Sequence, residues 1–434
     1  MIGAVNDDLK ENAAFIYLSN HFKNQGLPVP EIYGWKDDSS VYLQEDLGDH
    51  TLFSTLTGLQ NGLEFPEDAI ALYKKAINWL PKFQVKGAKL IDFRNCYPRP
   101  AFDKQSIMWD LNYFKYYFLK LSHINFDEQA LEEDFETLCN FLLKPDSTYF
   151  LYRDFQSRNI MIKDNEIYFI DYQGGRKGAL HYDIASLLYD AKADLPEYLR
   201  KELIDYYLDK LSEFVPIEKS SFLNYYYAFV YIRIMQAMGA YGFRGFYEKK
   251  LHFLLSIPYA LKNLEYLLEN HPIPIKLPVL TKVLNQIINS PVLRTIAQLK
   301  LTVNINSFSY KKGIPTDLSG NGGGFVFDCR ALPNPGRLQG YEGKTGKDKE
   351  VADYLNSFKE VNEFSTHVLA LVDQSVKTYQ SRGFTNLMIS FGCTGGQHRS
   401  VYLAEMLANY LKKYDNLTLE LNHKEQSFPK TANQ

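Results

Sequence analysis

The chain has 434 residues, too many for one ordinary core, so a prior of roughly 100 to 200 residues per domain predicts two or three domains. Its 45% hydrophobic and 23% charged residues are typical of a globular protein, and its net charge of -3 gives no global reason to expect nucleic acid or an anionic membrane as partner. Four scattered cysteines, an acidic start and the absence of a long uncharged apolar run predict a cytoplasmic protein without disulfides, signal peptide or membrane span.

The first two thirds of the chain read mainly as helices. Apolar residues at helical spacing, ended by Gly26, predict the first helix, and Asp164 and Asn165 separate two alternating runs, which predicts a β-hairpin with a two-residue turn. The predicted elements are helices over 11–25, 69–83, 127–143, 184–191, 196–214, 220–238 and 248–268, and strands over 31–35 and 41–44.

The pattern changes near residue 290. HPIPIKLP, residues 271–278, cannot continue a helix, but the run after it can, so the boundary is expected between 289 and 299. We predict domains over 1–290 and 296–434. In the second domain we predict strands in LTVNINSF, GFVFDCR and NLMISFG and helices over 357–382 and 401–414. This pattern predicts a small α/β domain.

The stretch YRDFQSRNIM, residues 152–161, carries side chains suited to phosphoryl transfer. That reaction needs a base that orients the attacking hydroxyl and oxygen ligands that hold magnesium between phosphates. Asp154 and Asn159 share one loop, and the hairpin after it returns Asp171 at its far end. The three side chains are therefore expected to face one cleft.

The motif YRDFQSRNIM, followed by IYFIDYQGG and HYDIASLL, resembles the aminoglycoside phosphotransferase and choline kinase family, and most of all its AmgK-type sugar kinases. The resemblance covers about Lys10 to Ile288 and implies a protein-kinase-like fold, ATP and Mg²⁺. It implies these roles: Asp154 as base, Asn159 and Asp171 as magnesium ligands, Asp183 as the brace of the catalytic loop, Gln156 and Arg158 as sugar or phosphate contacts, and Gln44, Glu45, Asp46 and Leu47 as the segment that meets adenine.

Other interpretations of these residues stay open. Asp183 could only cap the helix that follows it, and Arg158 could form a surface ion pair. Kinases of this kind also place a glycine-bearing hairpin and a basic residue upstream of the first helix, where this sequence has only MIGAV. We expect that the N-lobe is truncated by a late start assignment, with an inactive kinase as the alternative, and that the chain as given binds ATP weakly.

A second stretch, FGCTGGQHRS, residues 391–400, follows a predicted buried strand and precedes a helix. Backbone N–H groups there can converge on an anion, and Arg399 adds a fork suited to phosphate oxygens. Cys393 and Arg399 also satisfy the spacing of cysteine phosphatases, in which a thiolate attacks phosphorus. Gly392 stands where such phosphatases usually carry His, which argues against that chemistry.

Together with VFDCRALPNPGR and TGKDKEVADYL, this stretch resembles the C-terminal domain of the RapZ family over nearly all of Leu301 to Asn422. The resemblance implies binding of a phosphorylated amino sugar. The implied site comprises Asp328, Arg330, Cys393, Thr394, Gly395, Gly396, His398 and Arg399. The sequence departs at Gly336, where many relatives have His, and its tail is less basic than RapZ tails, which argues against RNA as a partner without closing that alternative.

Each of these residues also has a purely structural interpretation. The two glycines could permit a tight turn, Cys393 could be a buried apolar residue, His398 could cap or stack, and Asp328 and Arg330 could form a local ion pair.

The sequence thus predicts a mixed α/β and α+β chain, a kinase-like domain followed by a small α/β domain. Its predicted function is the phosphorylation of a sugar, in the narrower form an amino sugar, with a second domain that binds a sugar phosphate. The alternatives are a sugar-phosphate-responsive adaptor with an inactive kinase domain, or a cysteine-dependent phosphatase.

Overall fold

The computed structural model describes residues 1–59, 65–296, 300–317, 323–341, 343–382, 384–414 and 417–426. The chain divides into two compact units, Met1–Ala297 and Gln298–Gln434, and each has its own apolar core. Over the described ranges, none of the helices combines the length and the apolar character that crossing a bilayer requires.

The first unit starts with a small antiparallel sheet and one helix. Strands β1 (Ile2–Val5), β2 (Ile32–Trp35) and β3 (Val41–Gln44) form it in the order β1-β3-β2, and helix α1 is Leu9–Asn24. Asp8 begins the helix, since its carboxylate accepts the N–H of Glu11 at 3.1 Å. The helix and both downstream strands lie where the sequence predicts them.

Two further strand pairs frame the candidate catalytic loop. β5 (Ile160–Lys163) and β6 (Glu166–Phe169) form the predicted hairpin, and Asp164 and Asn165 both have positive φ, +53° and +62°, as a tight hairpin turn requires. β4 (Tyr149–Leu151) pairs antiparallel with β7 (Arg176–Gly178), a pairing that the sequence analysis missed. The loop after β4 and the loop before β7 are thereby held side by side.

Helices make up the rest of this unit. They are α2 (Leu52–Leu59), α3 (Glu67–Pro81), α4 (Lys104–Tyr113), α5 (Glu128–Leu142), α6 (His181–Leu188), α7 (Glu197–Ser212), α8 (Lys219–Tyr241), α9 (Ile257–Asn270), α10 (Pro278–Ile288) and α11 (Pro291–Thr295). The single helix predicted over 248–268 is wrong at its start. A short 3₁₀ segment, Leu251–Ser256, comes first, and α9 begins at Ile257 because Pro258 lacks an N–H and fits only a first turn.

The second unit contains a four-stranded, fully parallel sheet in the order β11-β8-β10-β9. Its strands are β8 (Leu301–Ser309), β9 (Phe325–Asp328), β10 (Asn386–Cys393) and β11 (Leu417–His423), and its helices are α12 (Lys349–Asn356), α13 (Lys359–Arg382) and α14 (Arg399–Leu411). β11 was not predicted, although Leu417, Leu419 and Leu421 alternate as a half-buried strand requires.

The two faces of this sheet differ in chemistry. Side chains such as Val303, Ile305 and Ile389 are fully buried in the core that α14 helps to form. The opposite face carries Asn304 and Asn306 on β8, because successive strand residues point to opposite sides. Parallel sheets are usually covered on both faces by apolar layers, so a polar second face is unusual.

Candidate functional site

The loop after β4 holds Asp154, Asn159 and Asp171 close together. Asn159 lies in a 3₁₀ turn, Ser157–Asn159, and its Nδ2 donates to the main-chain oxygen of Asp154 at 2.9 Å and to Oδ2 of Asp171 at 2.8 Å. Gly174, three residues after Asp171, lies beside the Asp154 carboxylate, since a Cβ built on it would be 3.8 Å from Oδ2. The side-chain amide of Asn159 thus links the loop that carries Asp154 to Asp171, at the end of the β5–β6 hairpin, by hydrogen bonds.

Asp171 sits in a strained and electronegative position. Its φ of +67° lies in the left-handed region, which side-chain-bearing residues adopt at a cost and which clusters at functional sites. Gln173 donates to its Oδ1 at 2.8 Å and also reaches Oε1 of Glu11 at 3.3 Å. Burial raises the pKa of Asp171, and the negative charge of Asp154 raises it further.

Arg153 fixes the backbone just before Asp154. Its φ is +84°, and its guanidinium donates to both carboxylate oxygens of Asp110 on α4, at 2.6 and 2.7 Å, and to the Tyr182 hydroxyl at 2.7 Å. Both partners of this bidentate ion pair are largely buried. The positive φ of Arg153 is therefore held by contacts of its guanidinium group that the ammonium group of a lysine could not reproduce.

Asp183 holds the same backbone from the other side. It is fully buried, and its carboxylate accepts the N–H groups of Tyr152 at 2.9 Å and Arg153 at 3.0 Å, and Nε2 of Gln84 at 3.1 Å. Burial raises its pKa to about 6, although the three hydrogen bonds act in the opposite direction. The helix-capping interpretation is wrong, because α6 begins two residues earlier at His181 and the carboxylate binds the loop instead.

Gln156 and Arg158 lie on the same loop without contacting the central trio through their side chains. The main-chain oxygen of Gln156 accepts the N–H of Asn159 at 2.9 Å. The exposed Arg158 guanidinium lies 4.5 Å from the centre of the Phe53 ring, and it forms no ion pair with any residue in the described part of the chain.

The segment predicted to meet adenine follows β3. Gln44 is its last strand residue, and the N–H of Glu45 donates to the main-chain oxygen of Glu31 at 2.8 Å. Lys163 donates to Oε1 of Glu45 and to the main-chain oxygen of Asp46, both at 3.0 Å, while Leu47 is buried. Lys163, at the end of β5, thus links this segment to the β5–β6 hairpin.

Several residues around the site were missed by the sequence analysis. Arg153 directly precedes Asp154 in the stretch YRDFQSRNIM, and this position is the one sequence feature that could have indicated its role. Asp110, Gln84 and Glu11 are distant in sequence, and the Asp110 to Arg153 contact spans 43 residues. No local pattern marks such contacts.

The donor set fits a hard divalent cation. Carboxylate and amide oxygens are the ligands that Mg²⁺ accepts, and Asn159 directs its Nδ2 at Asp171, which leaves its Oδ1 available. The mutual repulsion that raises the pKa of Asp171 is what a bound cation would relieve. In the described residues, no three His, Cys, Asp or Glu side chains gather as a metal cluster, so the protein ligands of such a site would be the Asp171 carboxylate and the Asn159 amide oxygen.

The candidate anion loop of the second unit follows β10. The Sγ of Cys393 accepts the N–H of Gly396 at 3.2 Å and lies 3.2 Å from the Ser400 hydroxyl. Burial opposes ionisation of this thiol, but the hydrogen bonds from Ser400 and Gly396 and the charge of Arg399 together lower its pKa.

The loop needs glycine at one of its two glycine positions. Gly396 has a φ of +68°, and a Cβ there would lie 2.3 Å from Cγ of Glu425 and 3.0 Å from the backbone nitrogen of Ser309. Gly395 has open space where a side chain would project. The main-chain oxygen of Thr394 accepts the Ser309 hydroxyl at 2.7 Å, which anchors the loop to the end of β8.

Arg399 and His398 lie where the loop meets α14. Nη1 of Arg399 donates to the main-chain oxygens of Arg330 at 2.8 Å and Leu332 at 3.0 Å, while its buried Nε has no partner among the described residues. The buried Nε2 of His398 likewise has none there. A Cβ at Gly336 would lie 2.9 Å from Cε1 of His398, so position 336 borders this ring.

Asp328 and Arg330 bind each other at the end of β9. Nε and Nη2 of Arg330 donate to the two carboxylate oxygens of Asp328 at 2.6 to 3.0 Å, and the guanidinium lies 4.1 Å from the centre of the Tyr310 ring. The local ion pair between Asp328 and Arg330 is therefore present and exposed. It lies at the end of β9, next to the end of β10 that carries Cys393.

Family comparisons agree with this division. The family model described as a phosphotransferase enzyme family matches residues 6–216, and that of the RapZ C-terminal domain matches residues 301–427. The chain therefore contains one region that matches the phosphotransferase family and a second that matches the RapZ C-terminal domain. This confirms the predicted fold class, a kinase-like region followed by a small α/β domain.

Individual relatives cover only parts of the chain. The nucleotide-binding protein YvcJ of Bacillus subtilis is 45% identical over 112 residues, 26% of this chain and 36% of that protein, and one from Thermotoga neapolitana is 42% identical over 113 residues, 26% and 38% of the respective chains. The chain thus spans little more than a third of these relatives.

Among solved structures, an ethanolamine kinase of Plasmodium vivax is 15% identical with a TM-score of 0.42 over 61% of this chain and 74% of that one. A choline kinase from Cryptosporidium parvum is 15% identical with a TM-score of 0.41 over 64% and 82%.

Proposed function

We propose that the first unit is an ATP- and magnesium-dependent phosphotransferase that acts on a hydroxyl of a sugar, more specifically of an amino sugar. We also propose that the second unit binds a sugar phosphate. The observation that carries the first part is the Asn159 amide, which links the Asp154 loop to the Asp171 carboxylate at 2.8 Å. A base and two metal ligands on one crevice are what phosphoryl transfer to an alcohol requires.

Asp154 would take the proton of the attacking hydroxyl. No hydrogen bond or ion pair engages its carboxylate within the described ranges, so its oxygens are available to an acceptor. Asn159 and Asp171 would hold Mg²⁺, which when bound neutralises charge on the phosphates. Asp183 and the Arg153–Asp110 pair would position Asp154, because they fix the two residues that precede it.

The second unit would bind a phosphate group at the loop over residues 394–398. This loop precedes the N-terminus of α14, and the 13-residue helix directs its positive end toward it. The match of residues 301–427 to the RapZ C-terminal domain supports this assignment.

The test is magnesium-dependent ATP consumption with a panel of free sugars and amino sugars. Asp154→Ala should reduce turnover at least a hundredfold, in the range that general base catalysis contributes. Asp209→Ala, on the exposed face of helix α7, is the matched control and should keep full activity. If the unaltered chain, extended upstream or not, consumes no ATP with any sugar, the phosphotransferase proposal fails. Thermal stabilisation by sugar phosphates but not by ATP would then favour a sugar-phosphate-responsive adaptor.

A phosphatase is the second candidate, and the lowered pKa of Cys393 favours it. The position before the cysteine argues against it, since a Cβ at Gly392 would lie 2.4 Å from Cε2 of Tyr310 and no histidine fits. A phosphatase would hydrolyse a generic aryl phosphate and lose that turnover in Cys393→Ser. A binding domain would show no turnover in either chain.

A further inference from the structure

The polar face of the second unit's sheet contains a cavity that none of the proposed chemistry uses. Its volume is about 410 Å³, and the side chains that line it are Asn304, Asn306, Thr316, Asp317, Asn386, Leu387, Met388, Glu420, Asn422 and Lys424. Most of these are polar, whereas small-molecule pockets are usually lined mainly by apolar and aromatic groups. A lining of this kind is suited to a ligand that is itself polar over most of its surface.

Asn306 gives the clearest sign that a ligand belongs there. Its side chain lines the cavity, only 4% of the residue is exposed, and its carboxamide has no hydrogen-bond partner among the described residues. Neither atom of this carboxamide is among the fully buried polar atoms that lack a partner, so the group opens onto the cavity and is available to a ligand. A ligand that offers both a donor and an acceptor would satisfy it.

The neighbouring side chains are already positioned for such a ligand. Nδ2 of Asn304 donates to Oε2 of Glu420 at 2.7 Å, and Nδ2 of Asn422 donates to Oδ1 of Asn304 at 3.1 Å. This chain of hydrogen bonds runs across β8 and β11 and fixes the orientation of the amides before a ligand binds. Preorganised polar groups reduce the entropy lost on binding.

The charges of the cavity select against an anion. Among the described lining residues, Asp317 and Glu420 contribute two carboxylates and Lys424 one ammonium group, so this part of the lining is net negative. The cavity shares no described lining residue with the phosphate-binding loop proposed above. Asn386, at one end of the cavity, is roughly 20 Å from Cys393 along β10 at about 3.3 Å per residue, whereas Lys424, at the other end, precedes Glu425, whose main-chain oxygen accepts Nε2 of Gln397 in that loop.

We propose that this cavity is a second binding site for a small polyhydroxylated molecule without negative charge, either neutral or carrying one amine. Hydroxyl groups both donate and accept, which matches the carboxamides of Asn304, Asn306, Asn386 and Asn422. The inference is independent of the phosphotransferase activity and of the phosphate loop.

The test uses the full chain with ¹³C-labelled methionine methyl groups. Met388 lines the cavity, whereas Met406 on α14 packs against the core on the other side of the sheet and serves as the internal reference. Titration with D-glucosamine or D-glucose should shift the Met388 signal saturably and leave Met406 unchanged. Glucosamine 6-phosphate should not shift Met388, even if it binds at the phosphate loop.

Asn306→Leu should weaken the response of Met388 at least tenfold. Thr418→Val, on the same face of β11 but outside the cavity, should retain it. The unliganded Asn306→Leu chain should lose its native Met406 signal at the same or a higher temperature than the unaltered chain, because leucine is similar in size and its introduction breaks no hydrogen bond to a described residue.

Three results would overturn the proposal: no saturable shift of Met388 with either sugar, an equal shift in Asn306→Leu, or a lower unfolding temperature of that variant, which would assign Asn306 a structural role.

Discussion

The buried carboxylate of Asp183 allows a quantitative test of how the catalytic loop is held. Asp183→Asn keeps the shape of the side chain but removes its charge, and the N–H groups of Tyr152 and Arg153 then share one acceptor oxygen instead of two. Since burial raises the pKa of Asp183 from 3.8 to about 6, the native charge is retained at a cost in stability. The substitution separates that cost from the positioning role.

The magnitude follows from proton linkage. A rise of the pKa from 3.8 to about 6 corresponds to about 3 kcal/mol. The folded chain binds this proton more tightly than the unfolded chain, so the stabilisation is fully present below pH 3.8 and is lost as the pH rises through about 6. Asparagine does not titrate. The free energy of unfolding of Asp183→Asn, minus that of the unaltered chain, should therefore be near zero at low pH and rise by about 3 kcal/mol toward neutral pH.

The assay is urea unfolding at a series of pH values, followed by tryptophan fluorescence. All three tryptophans, Trp35, Trp79 and Trp109, lie in the first unit, so the signal reports on that unit alone. A difference between the two chains that does not vary with pH would refute the raised pKa. A difference that falls as the pH rises would mean that the three hydrogen bonds outweigh burial. Phosphotransferase activity should fall in Asp183→Asn even where its stability is higher, because the loop loses its charged acceptor.

Two further predictions concern backbone strain and the buried ion pair. Gly396→Ala should destabilise the second unit by about 2 kcal/mol or more, because φ is +68° and the new Cβ meets Glu425, while Gly395→Ala should change its stability by less than about 0.5 kcal/mol. Calorimetry on the two variants measures this, and equal effects would contradict it. Arg153→Lys should destabilise the first unit by about 1–3 kcal/mol, since lysine cannot reproduce the bidentate contact with Asp110. The matched control is Arg94→Lys, whose pair with Asp92 is exposed, and an equal loss of stability there would mean that burial of the Arg153 pair is irrelevant.

Features encoded by neighbouring residues could be predicted from the sequence. The Asp164–Asn165 turn follows from side chains that tolerate positive φ, and α1 follows from helical periodicity and the stop at Gly26. The motif around Asp154 and Asn159 could likewise be recognised, because both residues lie on one short loop.

Contacts between distant segments could not be predicted. The sequence left open whether Asp183 caps a helix or braces the loop, since both roles place an acid near a helix start, and only its contacts with Tyr152 and Arg153 decide. The pairing of β4 with β7 was missed because each strand has three residues, too few for a periodic signal.

The sequence by itself predicted the two regions that the family models match, and it marked the candidate catalytic loop and the candidate anion loop, because these depend on residue types at short spacing. Only the tertiary structure decided that Arg153 is held by Asp110, that Asn159 joins Asp154 to Asp171, and that the nearly buried Asn306 lines a polar cavity. These contacts depend on which faces of distant strands and helices pack together. Hydrophobic burial over the whole unit determines that packing, and no local sequence pattern encodes it.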